Sequence, residues 1–378
     1  MFILWVPIWV VFLQGKGLSL TQIGLLEAVA WVLTAAVEVP TGAIADRWGR
    51  KTSIALGSLV YSASMFLILA EALSPAFLLG YAMWNSSFAF VSGADSALLY
   101  DSLKADGRES EAAKQSGRYA AIQQASQGVA ALLGAAIATI DITLCFTICG
   151  FAALGATALI LSVKEPPRLD EGEDELGYWQ NLRTAVGIAA RRPVVRVLLL
   201  LSATFFVVPL IVYYFLLQPY ALGIGMPLAS LGVVVVGVQA TSVIASWLAH
   251  RTEGRFELAT IVGLGGVLIV AATVLLAALP TIPSIGLMLV VALVPALVGP
   301  LLLARINELI PSAQRATILS LSALLSELGT AAVVPLLMTA ADLLDPPSAI
   351  GVSAALFAIA FIPLWFVWRA AGARTRRA

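Results

Sequence analysis

The chain has 378 residues, 60% of them apolar and only 12% charged, with 22 Lys and Arg balanced by 22 Asp and Glu and a mean hydropathy of +0.95. A soluble globule is about a quarter charged, so this composition excludes one and predicts an all-α polytopic membrane protein. Zero net charge leaves no basic field for nucleic acid, which excludes that partner.

Cut at its apolar runs, the chain yields twelve segments, taken here as helices one to twelve: Met1 to Leu13, Ile23 to Val39, Thr52 to Ala70, Phe77 to Leu98, Tyr119 to Ile140, Leu144 to Val163, Val197 to Gln218, Leu228 to Ala249, Leu258 to Leu279, Ile285 to Leu303, Ala316 to Thr339 and Ser348 to Trp368. All but the first can span, because about 20 residues at 1.5 Å rise cross a ~30 Å hydrocarbon slab. The first lacks the basic start and cleavage site of a signal peptide, and reads as the second half of an N-terminally truncated helix. Every Lys and Arg except Lys16 falls in alternate connections, at their helix ends or in the tail. Short basic connections stay on the cytoplasmic side, which puts both chain ends at the cytoplasmic face of the cell (inner or plasma) membrane.

The expected division is a six-helix bundle over 1–163, a cytoplasmic linker over 164–195, a second six-helix bundle over 196–370 and a basic tail over 371–378. Within the linker Trp179, Leu182, Val186 and Ala189 recur at helical spacing, which predicts an amphipathic surface helix over Tyr178 to Ala190. Cys145 and Cys149 lie one turn apart and read as small apolar packing residues, with no metal or redox spacing around them. Ala45-Asp46-Arg47-Trp48-Gly49-Arg50 recurs after the eighth run as Ala249-His250-Arg251-Thr252-Glu253-Gly254-Arg255, with one inserted residue. Matched loops six helices apart suit a transporter built by duplication; His250, the only histidine, reads as a solvated loop residue.

Between helices two and three stands GAIADRWGRK, Gly42 to Lys51, preceded by Glu38-Val39-Pro40-Thr41. This resembles the signature loop of the major facilitator superfamily, G-x-x-x-D-R-x-G-R-[KR], in its usual place in a chain split six and six. Asn307 to Leu325 is also similar to the family's passage from helix ten into helix eleven. By physics alone, Gly42 and Gly49 would give a sharp turn its backbone freedom, Asp46 would accept hydrogen bonds at a helix start, and Arg47, Arg50 and Lys51 would hold the turn at the anionic inner leaflet. The resemblance implies that these residues, with Glu38, form a cytoplasmic gate between the halves. Helix five, reading Gln124-Ala125-Ser126-Gln127-Gly128-Val129, lacks the glycine-proline signature of drug antiporters.

Ionisable groups within a membrane are costly and are functional candidates by default. Glu27 and Glu38 in helix two, Asp95 near the inner end of helix four and Glu327 near the middle of helix eleven qualify, and the sequence offers them no buried Lys or Arg. A desolvated carboxylate can be neutral near pH 7 and exchange protons as its exposure alternates, so Glu27, Asp95 and Glu327 are the proton-coupling candidates. Glu38 reads rather as part of the gate. Eleven residues make about three helical turns, so Glu27, Trp31, Thr34 and Glu38 form one stripe, while Asn85, Ser92 and Asp95 share a face of helix four.

The resemblance implies that helices one, four, seven and ten line a central cavity, with two, five, eight and eleven beside it. Trp5 and Trp9, Trp84 and Asn85, Gln124 and Gln127, and Tyr214 and Gln218 are the candidate lining residues. Pro209, Pro295 and Pro300 should loosen helices seven and ten. Without a buried cationic clamp, a multiply anionic cargo is disfavoured. The expectation is a monomeric secondary active transporter of a small neutral, lipophilic or cationic molecule, proton-coupled and exporting. A proton-coupled uptake symporter and a non-transporting receptor or assembly protein of the same fold remain alternatives. A P-loop, an H-E-x-x-H helix and a G-x-S-x-G elbow are absent from the sequence, so neither an enzyme nor a bound metal or cofactor is expected.

Overall fold

The computed structural model describes residues 3–166, 178–252, 256–311 and 314–375. The helices are α1 (Trp9–Gly15), α2 (Leu20–Trp48), α3 (Arg50–Leu67), α4 (Pro75–Val91), α5 (Ala94–Ala105), α6 (Ala112–Ala138), α7 (Ile142–Ser162), α8 (Tyr178–Arg191), α9 (Pro193–Ile211), α10 (Leu217–Gly223), α11 (Ser230–Thr252), α12 (Leu258–Ala278), α13 (Met288–Leu309), α14 (Arg315–Leu343) and α15 (Pro346–Thr375). Each of the twelve expected segments holds at least one of them. Among the described residues, eight helical stretches, Leu20–Glu38, Ile142–Ser162, Pro193–Gly223, Ser230–Ala249, Leu258–Ala278, Ile282–Leu309, Thr317–Leu343 and Pro346–Ala371, are long and apolar enough to cross a membrane.

Local chemistry sets the helix ends. Ser74 Oγ accepts the Phe77 N–H at 3.2 Å with Pro75 in the first turn of α4, and Asp141 Oδ1 accepts the Thr143 N–H at 2.8 Å at the start of α7; both hydroxyl and carboxylate occupy donors that a helix start leaves unpaired. Lys16, the exception to the charge rule, donates from Nζ to the carbonyls of Leu69 and Ala70 at 2.9 and 2.7 Å. It therefore closes the end of helix three, where a cation is favoured, and its partial burial lowers its pKa.

Two differences from the sequence reading matter for function. Helix two does not stop at Val39: α2 continues through the signature residues to Trp48, and Gly49 alone reverses the chain, at φ 97°. Gly42 thus belongs to a helix and not to the turn; a polar end costs a helix nothing once it has left the hydrocarbon. Helix four is interrupted at Ser92 and Gly93, the latter at φ 75°. The break resets the register, so the face expected to join Asn85 to Asp95 is not continuous.

The chain forms two compact units: Met1–Leu18, Val29–Glu175 and Leu228–Val235 make the first, and Ser19–Ala28, Leu176–Pro227 and Val236–Ala378 the second. In the first, α3 packs on α4 and α7 through small residues, with Ser53 and Ser62 donating to the carbonyls of Phe90 (2.6 Å) and Gly150 (2.8 Å); small residues let membrane helices approach closely. In the second, Phe205 meets Phe357 and Phe361 edge-on, and Trp365 Nε1 donates to the Ala259 carbonyl at 2.8 Å. Large apolar side chains such as Leu159, 71% exposed, face outward, as lipid contact requires.

Candidate functional site

The end of the signature segment is gripped from two sides in the first unit. Glu165, just after helix six, accepts the Arg50 N–H at 2.8 Å through Oε1 and the Lys51 N–H at 3.1 Å through Oε2. Its carboxylate thereby fills the positive N-terminus of α3. The Arg50 side chain pairs through Nε with Asp101 of α5 at 3.0 Å. A side chain on Gly49 would meet Glu165 Oε1 at 2.8 Å, so this glycine is required by its φ and by the carboxylate alike. Arg47 is exposed. The surroundings of Gly42 and the side chains of Asp46 and His250 lie outside the described residues.

The four acids occupy different environments. Glu27 is buried, 5% exposed, in an otherwise apolar spanning stretch; Glu38, at the other end of its stripe, is exposed. Glu327 is half-buried, on a helix where Thr330 donates to the Ser326 carbonyl at 2.8 Å. Asp95 is half-buried in the first turn of α5; its Oδ1 accepts the Ser96 N–H and its Oδ2 the Tyr119 hydroxyl, both at 2.7 Å. The acids are thus not solitary. Asp95 has these two donors, and Glu27 and Glu327 each take part in an interaction of their own, because a polar group taken out of water is stabilised only when it is engaged.

Trp5 and Trp9 lie in an aromatic cluster with Trp84, with ring centroids 4.5 Å (Trp5 to Trp84) and 4.1 Å (Trp9 to Trp84) apart, and Trp5 Nε1 donates to the Tyr61 hydroxyl at 2.8 Å. Asn85 is half-buried and donates to the Tyr81 carbonyl at 3.1 Å. Gln124 is exposed and Gln127 half-buried on α6. In helix seven, Pro209 precedes a π-helical turn, Val212–Leu216, that joins α9 to α10. Such turns are frequent at functional sites. Tyr214, 40% exposed, is in this turn, and Gln218, 3% exposed, is one turn further on.

Other features were not anticipated from the sequence. Among the described residues, Trp84 Nε1, Tyr213 OH and Asn307 Oδ1 are buried without a hydrogen-bond partner, and Tyr213 lies in the π-helical turn. Two glycines of a repeated Leu-x-x-Ile/Leu-Gly pattern, Leu20 to Gly24 and Leu228 to Gly232, mark close helix contacts. A Cβ on Gly24 would meet Met338 Cβ at 2.7 Å, and one on Gly232 the Ala131 carbonyl oxygen at 2.6 Å. Nearby, Thr21 Oγ1 donates to Asp342 Oδ2 at 2.8 Å. The start of helix two thus packs on helix eleven, and the start of helix eight on helix five.

Long apolar helices, a one-residue glycine reversal braced by acids, and a buried carboxylate in a spanning stretch define a polytopic helical protein of the transporter type. The family profile described as Major Facilitator Superfamily matches residues 1–334, and the chain belongs to that family. Over 93 residues, 23% of the chain, it is 37% identical to the uncharacterized MFS-type transporter YxaM of Bacillus subtilis (strain 168), and this match spans only 22% of that protein's length. Its fold is similar to that of the nucleoside transporter NupG (TM-score 0.81, 12% identity, 97% of this chain and 94% of that one). It is also similar to a bacterial homolog of the human lysosomal transporter Spinster (0.78, 17%, 97% and 93%) and to a D-xylose-proton symporter (0.63, 15%, 93% and 91%).

Proposed function

We propose that the protein is a secondary active transporter that moves a small neutral, lipophilic or cationic organic molecule by alternating access, with proton uptake and release by Glu27, Glu327 and Asp95 driving the cycle. Two sequence halves, 1–163 and 196–370, rock about the cargo, the linker 164–195 joins them on the cytoplasmic side of the cell membrane, and both termini lie on that side. The observation that carries the reading is the burial of Glu27, 5% exposed, inside a spanning stretch. An ionisable group in that setting is a functional candidate by default, and a change of exposure changes its proton affinity.

The gate of this cycle is the signature end of helix two: Arg47, Arg50 and Lys51, with Asp46 and Glu38 beside them, holding the cytoplasmic side through contacts that must break for it to open. Trp5, Trp9, Asn85, Gln124, Gln127, Tyr214 and Gln218 provide aromatic faces and amides for the cargo. Basic residues at helix ends and not mid-span disfavour a phosphorylated cargo. Two proteins of the same fold have small organic cargo by name, nucleosides and D-xylose, the latter with protons.

Ligands that stabilise the purified protein against heat bind its folded form and identify candidate cargo. In proteoliposomes, an imposed pH gradient should concentrate such a ligand on one side, and a protonophore should abolish the accumulation. A ligand that only equilibrates, with and without the gradient, contradicts the proposal.

A further inference from the structure

Going beyond the proposed transport cycle, we propose that Tyr119 is a positioning residue that latches the inner segment of helix four to helix five, making α5 a strut between the signature segment and helix five. At the break, the Ser92 N–H still bonds the Phe88 carbonyl (2.9 Å), and the next such bond of the ladder, Ala97 N–H to Gly93 carbonyl (3.0 Å), already belongs to α5. Ser92 at ψ 122° and Gly93 at φ 75° leave the helical region. No backbone ladder therefore fixes the direction of α5 relative to α4. A glycine at positive φ is also the backbone position least resistant to a change in that direction.

Beside the packing of α5 on α3, two carboxylates tether it. At the start of α5, Asp95 Oδ2 accepts the Tyr119 hydroxyl of α6 at 2.7 Å; towards its end, Asp101 pairs with Arg50 at 3.0 Å. Six residues at 3.6 per turn place these acids about 120° apart around α5, so one tether reaches α6 and the other the start of α3. Arg50 is itself held through its backbone by Glu165. A movement of the signature turn therefore shifts α5 as a rigid piece and pulls on Tyr119. Tyr119 is 42% exposed, so water competes for the phenol–carboxylate bond and lets it break and re-form, as a moving part requires.

The test uses the full chain in liposomes with Cys145 and Cys149 replaced by Ala and spin labels at Ala105 on α5 and Ala121 on α6, read as a distance distribution. The parent should give one narrow distance. Tyr119→Phe and Asp95→Ala should each add a longer population, the double variant no more than either alone, and Asp95→Asn, which keeps an acceptor for the phenol, should restore the narrow distance. Asp101→Ala, which removes the acceptor for Arg50 and does not touch Tyr119, should add the longer population too. An unchanged distribution in Tyr119→Phe overturns the latch, as does Asp95→Asn behaving like Asp95→Ala; an unchanged distribution in Asp101→Ala overturns the strut. The distances require no cargo or proton gradient, so this outcome is independent of the transport assay.

Discussion

Gly24 and Met338 touch at backbone level: a Cβ on the glycine would lie 2.7 Å from Met338 Cβ and 3.0 Å from Pro335 Cα. Glu27 lies one turn inward of Gly24, and Glu327 lies eleven residues, about three turns, inward of Met338 on the same face of helix eleven. The contact therefore stands at the head of two of the three helices that carry the coupling candidates. Gly24→Trp cannot be accommodated there without separating them. Maleimide labelling of Leu20→Cys, a site 5% exposed, should become at least about tenfold faster, since burial protects a thiol from reaction.

Helix eight repeats the arrangement. A Cβ on Gly232 would lie 2.6 Å from the Ala131 carbonyl oxygen and 2.9 Å from Ala135 Cβ, and neither can retreat as the end of a flexible side chain could. Gly232→Trp should therefore raise the labelling of Leu231→Cys, a site 1% exposed. Gly237, where the nearest contact to an added Cβ is 3.4 Å, should accept alanine without that effect.

The reversal at Gly49 should be intolerant. Alanine there meets φ 97° and the Glu165 carboxylate, and a strained backbone of this kind costs about 1–3 kcal/mol. Gly49→Ala should lower Tm by several degrees. Glu165→Ala, which strips the acceptor from the Arg50 and Lys51 amides, should lower it too, and Glu165→Gln should recover part of the loss.

Lys16→Met keeps an unbranched side chain but removes the ammonium that lies over the Phe12 and Phe77 rings and donates to Leu69 and Ala70. The expected cost is about 1–2 kcal/mol, the worth of charge-assisted hydrogen bonds, read as a lower Tm. Lys16→Arg should retain most of the stability.

How much of this was legible in the sequence differs by feature. Apolar runs locate helices because hydrocarbon demands unbroken helical hydrogen bonding across it; the helix at Tyr178–Arg191 could be read from its periodicity in the same way. The end of helix two was misjudged because Pro40, Thr41 and Gly42 end the apolar run at Val39, whereas the helix runs on to Trp48. The break at Ser92–Gly93 was hidden because Asn85, Ser92 and Asp95 keep a helical spacing through it, and one glycine signals packing as readily as interruption. Glu165, Asp101 and Tyr119 were missed because their partners are 115, 51 and 24 residues away. The partners of Asp95 were not legible either, since a hydroxyl and a backbone amide, and not a basic residue, engage its carboxylate.

The most direct measurement of the central claim compares uphill transport with exchange. In proteoliposomes, a ligand identified by thermal stabilisation is followed under an imposed pH gradient and then, without a gradient, by exchange of labelled for unlabelled ligand. Glu27→Gln should lose gradient-driven accumulation while keeping exchange, because a fixed neutral side chain can complete the conformational cycle but cannot move a proton through it. Gradient-driven accumulation by Glu27→Gln equal to that of the parent protein would contradict the account.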